Sequence, residues 1–372
     1  LKLIGFLIAM ASSLMFIQCT TDTVVGPAGA DGTNGVNGIN GINGVDGVDG
    51  VGTASCIECH SDTHRAPIND AYAASGHATG GSWARGKSGG CAQCHNNQGF
   101  IDYTSGQFLG SDGYPSANTS GYAVSEAITC SGCHSDHRSF DFDVDGNDYA
   151  VRTLAAVPLM IDRDYVIDIK NDSDPMGKSN TCVVCHQPRR NIADANDMDE
   201  LFQSSAHWGP HHGPQSTVFE GIMGANIVGS TAYPGAGANG DNGHRKGTSC
   251  TACHMSESTV ATEGGHTWAA SVDACITCHD TMTALPTGTS SFTTNFPILH
   301  DLLVAKGYIS ESGSVLGASG SNAGSSNPLV VPVKDAQAIW NYKTLEEDKS
   351  NGMHNPKYTD ALLKNSIEYL QQ

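Results

Sequence analysis

Positive charge is scarce in this chain. Lys and Arg number 19 against 38 Asp and Glu, so the formal charge is −19 with His neutral. That balance disfavours nucleic acid as a partner. It leaves cationic or metallic partners open, although acidity serves first for solubility. Apolar residues are also few, 39% of 372, below the share of an ordinary globular domain. With 44 Gly besides, such a chain struggles to build a core from side chains alone. A long apolar run is missing too. The stretch from Leu3 to Ile17 is broken by Gly5, Ser12 and Ser13 and is too short to span a bilayer comfortably.

Spare cysteine is also missing. Of thirteen Cys, twelve stand in one pattern used six times, Cys-x-x-Cys-His. The first motif is Cys56, Cys59 and His60, and the second is Cys91, Cys94 and His95. The third is Cys130, Cys133 and His134, and the fourth is Cys182, Cys185 and His186. The fifth is Cys250, Cys253 and His254, and the sixth is Cys275, Cys278 and His279. This spacing implies covalent attachment of a c-type haem. The two thiols add across the vinyl groups, and the adjacent His is held against the iron as proximal ligand. Zinc sites and dithiol redox sites share Cys-x-x-Cys, but neither needs His after every second Cys. Once the motifs are filled, no thiol pair is left for a structural disulfide. From Gly50 onward about 54 residues serve each motif. The expected fold is therefore mainly α with much irregular loop, a multihaem cytochrome c architecture in which haems in mutual contact replace a conventional core.

Six closed irons need six more ligands. Outside the motifs the chain has ten His, alongside nine Met. Met would raise the potential, and the ten His favour bis-His ligation. The distal candidates are His77, His137, His212, His244, His266 and His354. Weaker candidates are His207, His211, His64 and His300. A closed iron has no position free for substrate and transfers electrons.

In chain order, residues 1–19 read as an export signal starting at Lys2. Cys19 resembles the acylated cysteine of a bacterial lipoprotein, although Phe16-Ile17-Gln18 precedes it. Acylation there would anchor the chain stably in a membrane. Residues 20–52 hold a collagen-like repeat with Gly at every third position from 26 to 50. With Pro27 as its single proline it reads as a stalk rather than a triple helix. Residues 53–372 read as one six-haem domain. The motif starts lie 35, 39, 52, 68 and 25 residues apart, so this is no tandem repeat. A helix is expected over 67–76, opening at Pro67. A short β-hairpin is expected within 140–170. Helices are expected over 297–307, 333–349 and 356–371, the last with Pro356 in its first turn. Asp141, Asp143 and Asp145, followed by Gly146, match the first half of a calcium loop, but Arg152 stands where a bidentate Glu is expected. A solvated acidic turn is the other reading.

The chain resembles the exported multihaem c-type cytochromes of bacterial electron-transfer chains. The likeness covers roughly residues 55–371. It is carried by Ser75-Gly76-His77-Ala78-Thr79-Gly80-Gly81, His211-His212-Gly213-Pro214-Gln215, Cys250-Thr251-Ala252-Cys253-His254-Met255, Gly264-Gly265-His266-Thr267 and Gly352-Met353-His354-Asn355-Pro356-Lys357-Tyr358. From His244 onward it is also similar to the pentahaem nitrite reductase and hydroxylamine oxidoreductase superfamily, without the Cys-x-x-Cys-Lys that often marks the catalytic haem in those nitrite reductases. The resemblance implies a carrier at the outer membrane or cell surface, on either face, which exchanges electrons with redox partner proteins or extracellular acceptors. One alternative is a reductase of a nitrogen or sulfur oxyanion, with one open iron and His211 or His207 as proton donor. Another is a homo-oligomer, a conducting filament in which one subunit ligates iron in the next.

Overall fold

The computed structural model describes residues 53–192 and 199–372. The signal-like segment, Cys19 and the glycine repeat lie outside the described residues. The described chain is mostly helix and irregular loop, with two small sheets.

Short, capped helices dominate the first two thirds. Helix α1 (Thr53–His60) carries the first motif. Ser61 then caps α2 (Asp62–Ala74) by accepting from the His64 N–H at 3.3 Å. This helix begins five residues before Pro67, its expected start. Ser61 supplies the N-cap, and Pro67 is tolerated inside the helix. A single turn, α3 (Gly76–Thr79), holds His77. The second motif ends α4 (Gly89–His95). Asn96 then caps α5 (Asn97–Thr104) by accepting from the Gln98 and Gly99 N–H groups. The third motif forms α6 (Cys130–Cys133), and α7 (Phe142–Asp145) is one acidic turn. The expected hairpin shrinks to β1 (Val157–Pro158) against β2 (Val166–Ile167), with Val157 opposite Ile167.

Beyond it lie α8 (Asn180–Val183), β3 (Glu200–Gln203), α9 (Gln215–Glu220), α10 (Gly243–Gly247), α11 (Cys250–His254) and α12 (Val272–Ile276). Three long elements follow: α13 (Ser290–Ala305), α14 (Val333–Asp348) and α15 (Pro356–Leu370). Strand β4 (Leu329–Pro332) precedes α14 and pairs antiparallel with β3, Glu200 opposite Pro332. Helix α13 starts at Ser290 rather than 297 because the Thr289 hydroxyl accepts from the Phe292 N–H. Asn355 caps α15 at Tyr358, with Pro356 at the first position.

A conventional side-chain core is present, although the composition suggested that the chain would struggle to build one and that haems would take its place. The scarce apolar residues are unevenly spread. Leu299, Leu303, Ile339, Trp340, Leu345 and Leu362 are at most 1% exposed and join one cluster around α13, α14 and α15. A second cluster gathers Phe100, Leu159, Ile167, Ile169, Val183, Val184 and Phe219. Buried Asn341 accepts from the Ala225 N–H at 2.7 Å and donates to the Ala225 carbonyl and Ser366. Trp340 Nε1 donates to the Met223 carbonyl at 2.8 Å. These bonds tie the loop after α9 to the C-terminal helices.

Candidate metal and cofactor centres

Each motif sits on about one turn of helix. The His134, His186 and His279 N–H groups donate to the carbonyls of Cys130, Cys182 and Cys275 at 2.8–2.9 Å. That i→i−4 bond puts the two thiols, three residues apart, on one face. Arg152 reinforces the third motif: its guanidinium donates to the carbonyls of Ser131, Gly132 and His134. The position that a calcium loop would give to Glu is thus occupied by a clamp on a motif, as cations commonly act at helix C-termini.

None of the twelve motif thiols is tied up in a disulfide. They are not equally enclosed. Cys56 and Cys59 of the first motif are exposed, as are Cys130 of the third and Cys278 of the sixth. The other eight are half-buried: Cys91, Cys94, Cys133, Cys182, Cys185, Cys250, Cys253 and Cys275. The difference follows from what surrounds each turn. Cys133, Cys185 and Cys250 pack against the second apolar cluster, whereas Cys59 and Cys278 join neither cluster. A group held by Cys59 or Cys278 would therefore have an edge near solvent.

The motif histidines face other histidines at a constant spacing. Ring centroids are 6.2 Å apart for His60 and His137, His186 and His77, His134 and His266, and His279 and His244. They are 6.3 Å apart for His254 and His354. Every pair joins one motif His to one distal candidate. Packed aromatic rings adopt a broad range of separations, so one such pair would carry little. Here the spacing is held within 0.1 Å while the angle between ring planes runs from 33° to 86°. Ring packing couples distance to angle, whereas a spacer fixes distance alone. An imidazole nitrogen binds a metal at about 2 Å and its ring centre lies roughly 1 Å beyond, so two imidazoles across one ion have centroids about 6 Å apart. The residues present fit one iron between each pair.

Orientation is set from behind the rings. Nδ1 of His134 bonds the Tyr149 carbonyl at 2.7 Å, and Nδ1 of His254 bonds that of Trp268 at 2.8 Å. Nδ1 of His244 bonds the Met353 carbonyl at 2.6 Å, and Nδ1 of His186 meets Gln215 at 3.2 Å. Carboxylates serve three more: Asp148 for His137 at 3.2 Å, Glu347 for His212 at 2.5 Å and Asp348 for His354 at 2.6 Å. With Nδ1 so engaged, Nε2 is the nitrogen left for a metal, as in orienting shells generally. These orienting partners were missed at the sequence level, because they come from distant segments and carry no motif of their own.

Burial favours the neutral form, the one that binds metal, at four of these imidazoles. His77 is pushed down to about 4 by burial and by His186 opposite. Burial also lowers His186, His254 and His266. His354 runs the other way. Burial opposes its charge, but the Asp348 carboxylate outweighs that and raises it.

His95 stands apart. Among the described residues no imidazole faces it at 6.2 Å. Burial lowers it first, then Arg189, Arg85 and His212. His211 and His212 lie side by side with centroids 5.4 Å apart, and His211 is held at about 4 by burial and by Arg189. The Arg189 N–H donates to the Pro210 carbonyl at 2.9 Å, which ties this loop to the segment after the fourth motif. His64, His207 and His300 face no motif histidine. His300 instead meets Asp301 at 3.1 Å and the Tyr342 ring. Asp141, Asp143 and Asp145 lie on or beside α7, and no group of three or more His, Cys, Asp or Glu among the described residues is arranged to hold a bare metal ion.

No protein-family model, curated protein or solved structure matches this chain.

Proposed function

We propose that the protein is an electron carrier built on six c-type haems, exported and lipid-anchored at Cys19. The observation that carries this reading is the set of five facing imidazole pairs at 6.2–6.3 Å, each joining one motif His to one His from elsewhere. When bound, c-type haem supplies a one-electron couple whose potential the protein tunes through axial ligands, hydrogen bonds and burial. The chain's own residues do the rest. The paired thiols fix each group to a helical turn. At five sites facing imidazoles would close both sides and leave no position for substrate. Carbonyls and carboxylates behind the rings hold them in place. Electrons then pass to partners or acceptors outside the cell.

The second reading is a reductase of a nitrogen or sulfur oxyanion. His95 favours it, because this site lacks a facing imidazole at the common spacing and has Arg85 and Arg189 beside it. Both readings are tested on the exported, matured protein. Intact mass should show six haem additions. Electron paramagnetic resonance of the oxidised protein should show low-spin iron at all six sites. A high-spin signal at the site of Cys91 and Cys94 would replace the carrier reading with the reductase. A mass without haem would overturn both.

A further inference from the structure

The fourth motif lies where three others converge. Its two middle residues, Val183 and Val184, are 0% and 4% exposed and belong to the second apolar cluster. Cys133 of the third motif and Cys250 of the fifth pack against the same cluster, as does Cys185. Towards the second motif the crossing is reciprocal. The Cys94 thiol points at the Val184 carbonyl (4.0 Å), and the Cys185 thiol points at the Gln93 carbonyl (3.7 Å). Towards the fifth motif, Cys182 and Cys250 are within hydrogen-bonding reach of each other. Ser179 pins the two by accepting from the Thr251 N–H at 3.1 Å.

Trp268 joins three of these four sites from the imidazole side. Its ring centroid lies 4.4 Å from His77 and 5.3 Å from His266. Its carbonyl accepts from His254 Nδ1. These are imidazoles of the fourth, third and fifth sites. Trp268 takes φ +53°, a left-handed conformation that is costly for a bulky residue and persists only where surroundings impose it. The sixth motif, by contrast, is tied to the edge of this group, through His244 and the carbonyl of Met353 next to His354.

We propose that the fourth motif is a branch point, where groups carried by the second, third and fifth motifs each meet the group held by Cys182 and Cys185, and that Trp268 is the positioning residue of that junction. This rests on the haem reading. Thioether sulfurs lie on the porphyrin edge, so adjoining thiols bring cofactor edges together. An electron exchanged there oxidises one iron and reduces its neighbour, with no covalent bond made or broken.

The test uses the full haem-loaded chain, with midpoints followed by spectroelectrochemistry and electron paramagnetic resonance. His77→Met and His244→Met each exchange one axial ligand and should raise the midpoint of their own site. His77→Met is expected to displace the apparent midpoints of two or more other sites, and His244→Met that of one at most. If His77→Met moves its own midpoint alone while six haems remain bound, the branch point is overturned. Trp268→Ala replaces no ligand. It should shift the g-values of the pairs at His77 and His266 with the haem count intact, and Trp268→Phe should restore them. Unchanged g-values in Trp268→Ala would remove Trp268 from the junction. A chain that binds no haem overturns the reading beneath the junction and the junction with it.

Discussion

At the scale of single residues, the angle between facing imidazoles varies where their spacing does not. Planes are 76° apart for His60 and His137, 81° for His77 and His186, and 86° for His244 and His279. They are only 33° apart for His134 and His266. Nearly perpendicular axial rings leave two iron d orbitals close in energy, whereas nearly parallel rings separate them. Three sites are therefore expected to give strongly anisotropic low-spin signals and the site of His134 and His266 a rhombic one, read by low-temperature electron paramagnetic resonance. The carboxylate behind His354 acts through charge. With an iron held by His354, as proposed, Asp348 would make that imidazole a stronger donor and favour the oxidised, more positive iron. Asp348→Asn should raise the midpoint of the site at Cys250 and Cys253 and leave the site at Cys56 and Cys59 unchanged in the same redox titration. The motif thiols and all ten further histidines could be read from the sequence, since spacing defines the first and count the second. Which histidine faces which could not. His77 meets His186 from 109 positions away in sequence, and no local pattern encodes that. Nor does the motif say that Cys59 and Cys278 lie exposed while Cys185 is half-buried, because enclosure comes from segments packed against the turn and not from the turn itself.

At the scale of elements, the C-terminal helices form a conventional core, and their stability should follow ordinary packing rules. Trp340 is fully buried, and Trp340→Ala is expected to cost about 3–5 kcal/mol, measured by calorimetry with the haem count unchanged. Two tyrosines share one carboxylate here. Tyr369 donates to Asp335 at 2.8 Å, and Tyr308 donates to its other oxygen. Burial and then Asp335 push Tyr369 up to about 12 and Tyr308 up as well. A phenol whose folded-state value is raised adds stability below its unfolded value of about 10 and loses it as pH rises towards the folded one. The melting temperature should fall between about pH 10 and 12, and Tyr369→Phe should make that fall shallower. These helices were legible because Tyr358, Leu362, Leu363, Ile367 and Leu370 recur at helical spacing. The β3–β4 pair was not, because its strands are only four residues each and stand more than a hundred residues apart.

For the whole molecule, charge governs encounter. With 19 basic against 38 acidic side chains, the field draws in cationic donors and is screened over about 10 Å at 0.1 M salt. Stopped-flow reduction by a cationic one-electron donor should slow as ionic strength rises, while reduction by an anionic donor should quicken. Composition made this legible without any structure. Composition also suggested too little apolar matter for a core, and there it misled, because an average over the chain conceals that α13, α14 and α15 hold much of it.

One short stretch orients three imidazoles at once. His212 hangs from Glu347, His354 from Asp348 and His244 from the carbonyl of Met353. Residues 347–353 thus act as a common footing at the end of α14, a lever rather than a local brace. A shift of that helix end would turn three imidazoles in concert. A chain cut before Glu347 would keep all twelve motif thiols and yet lose His354 and leave His212 and His244 without a bearing.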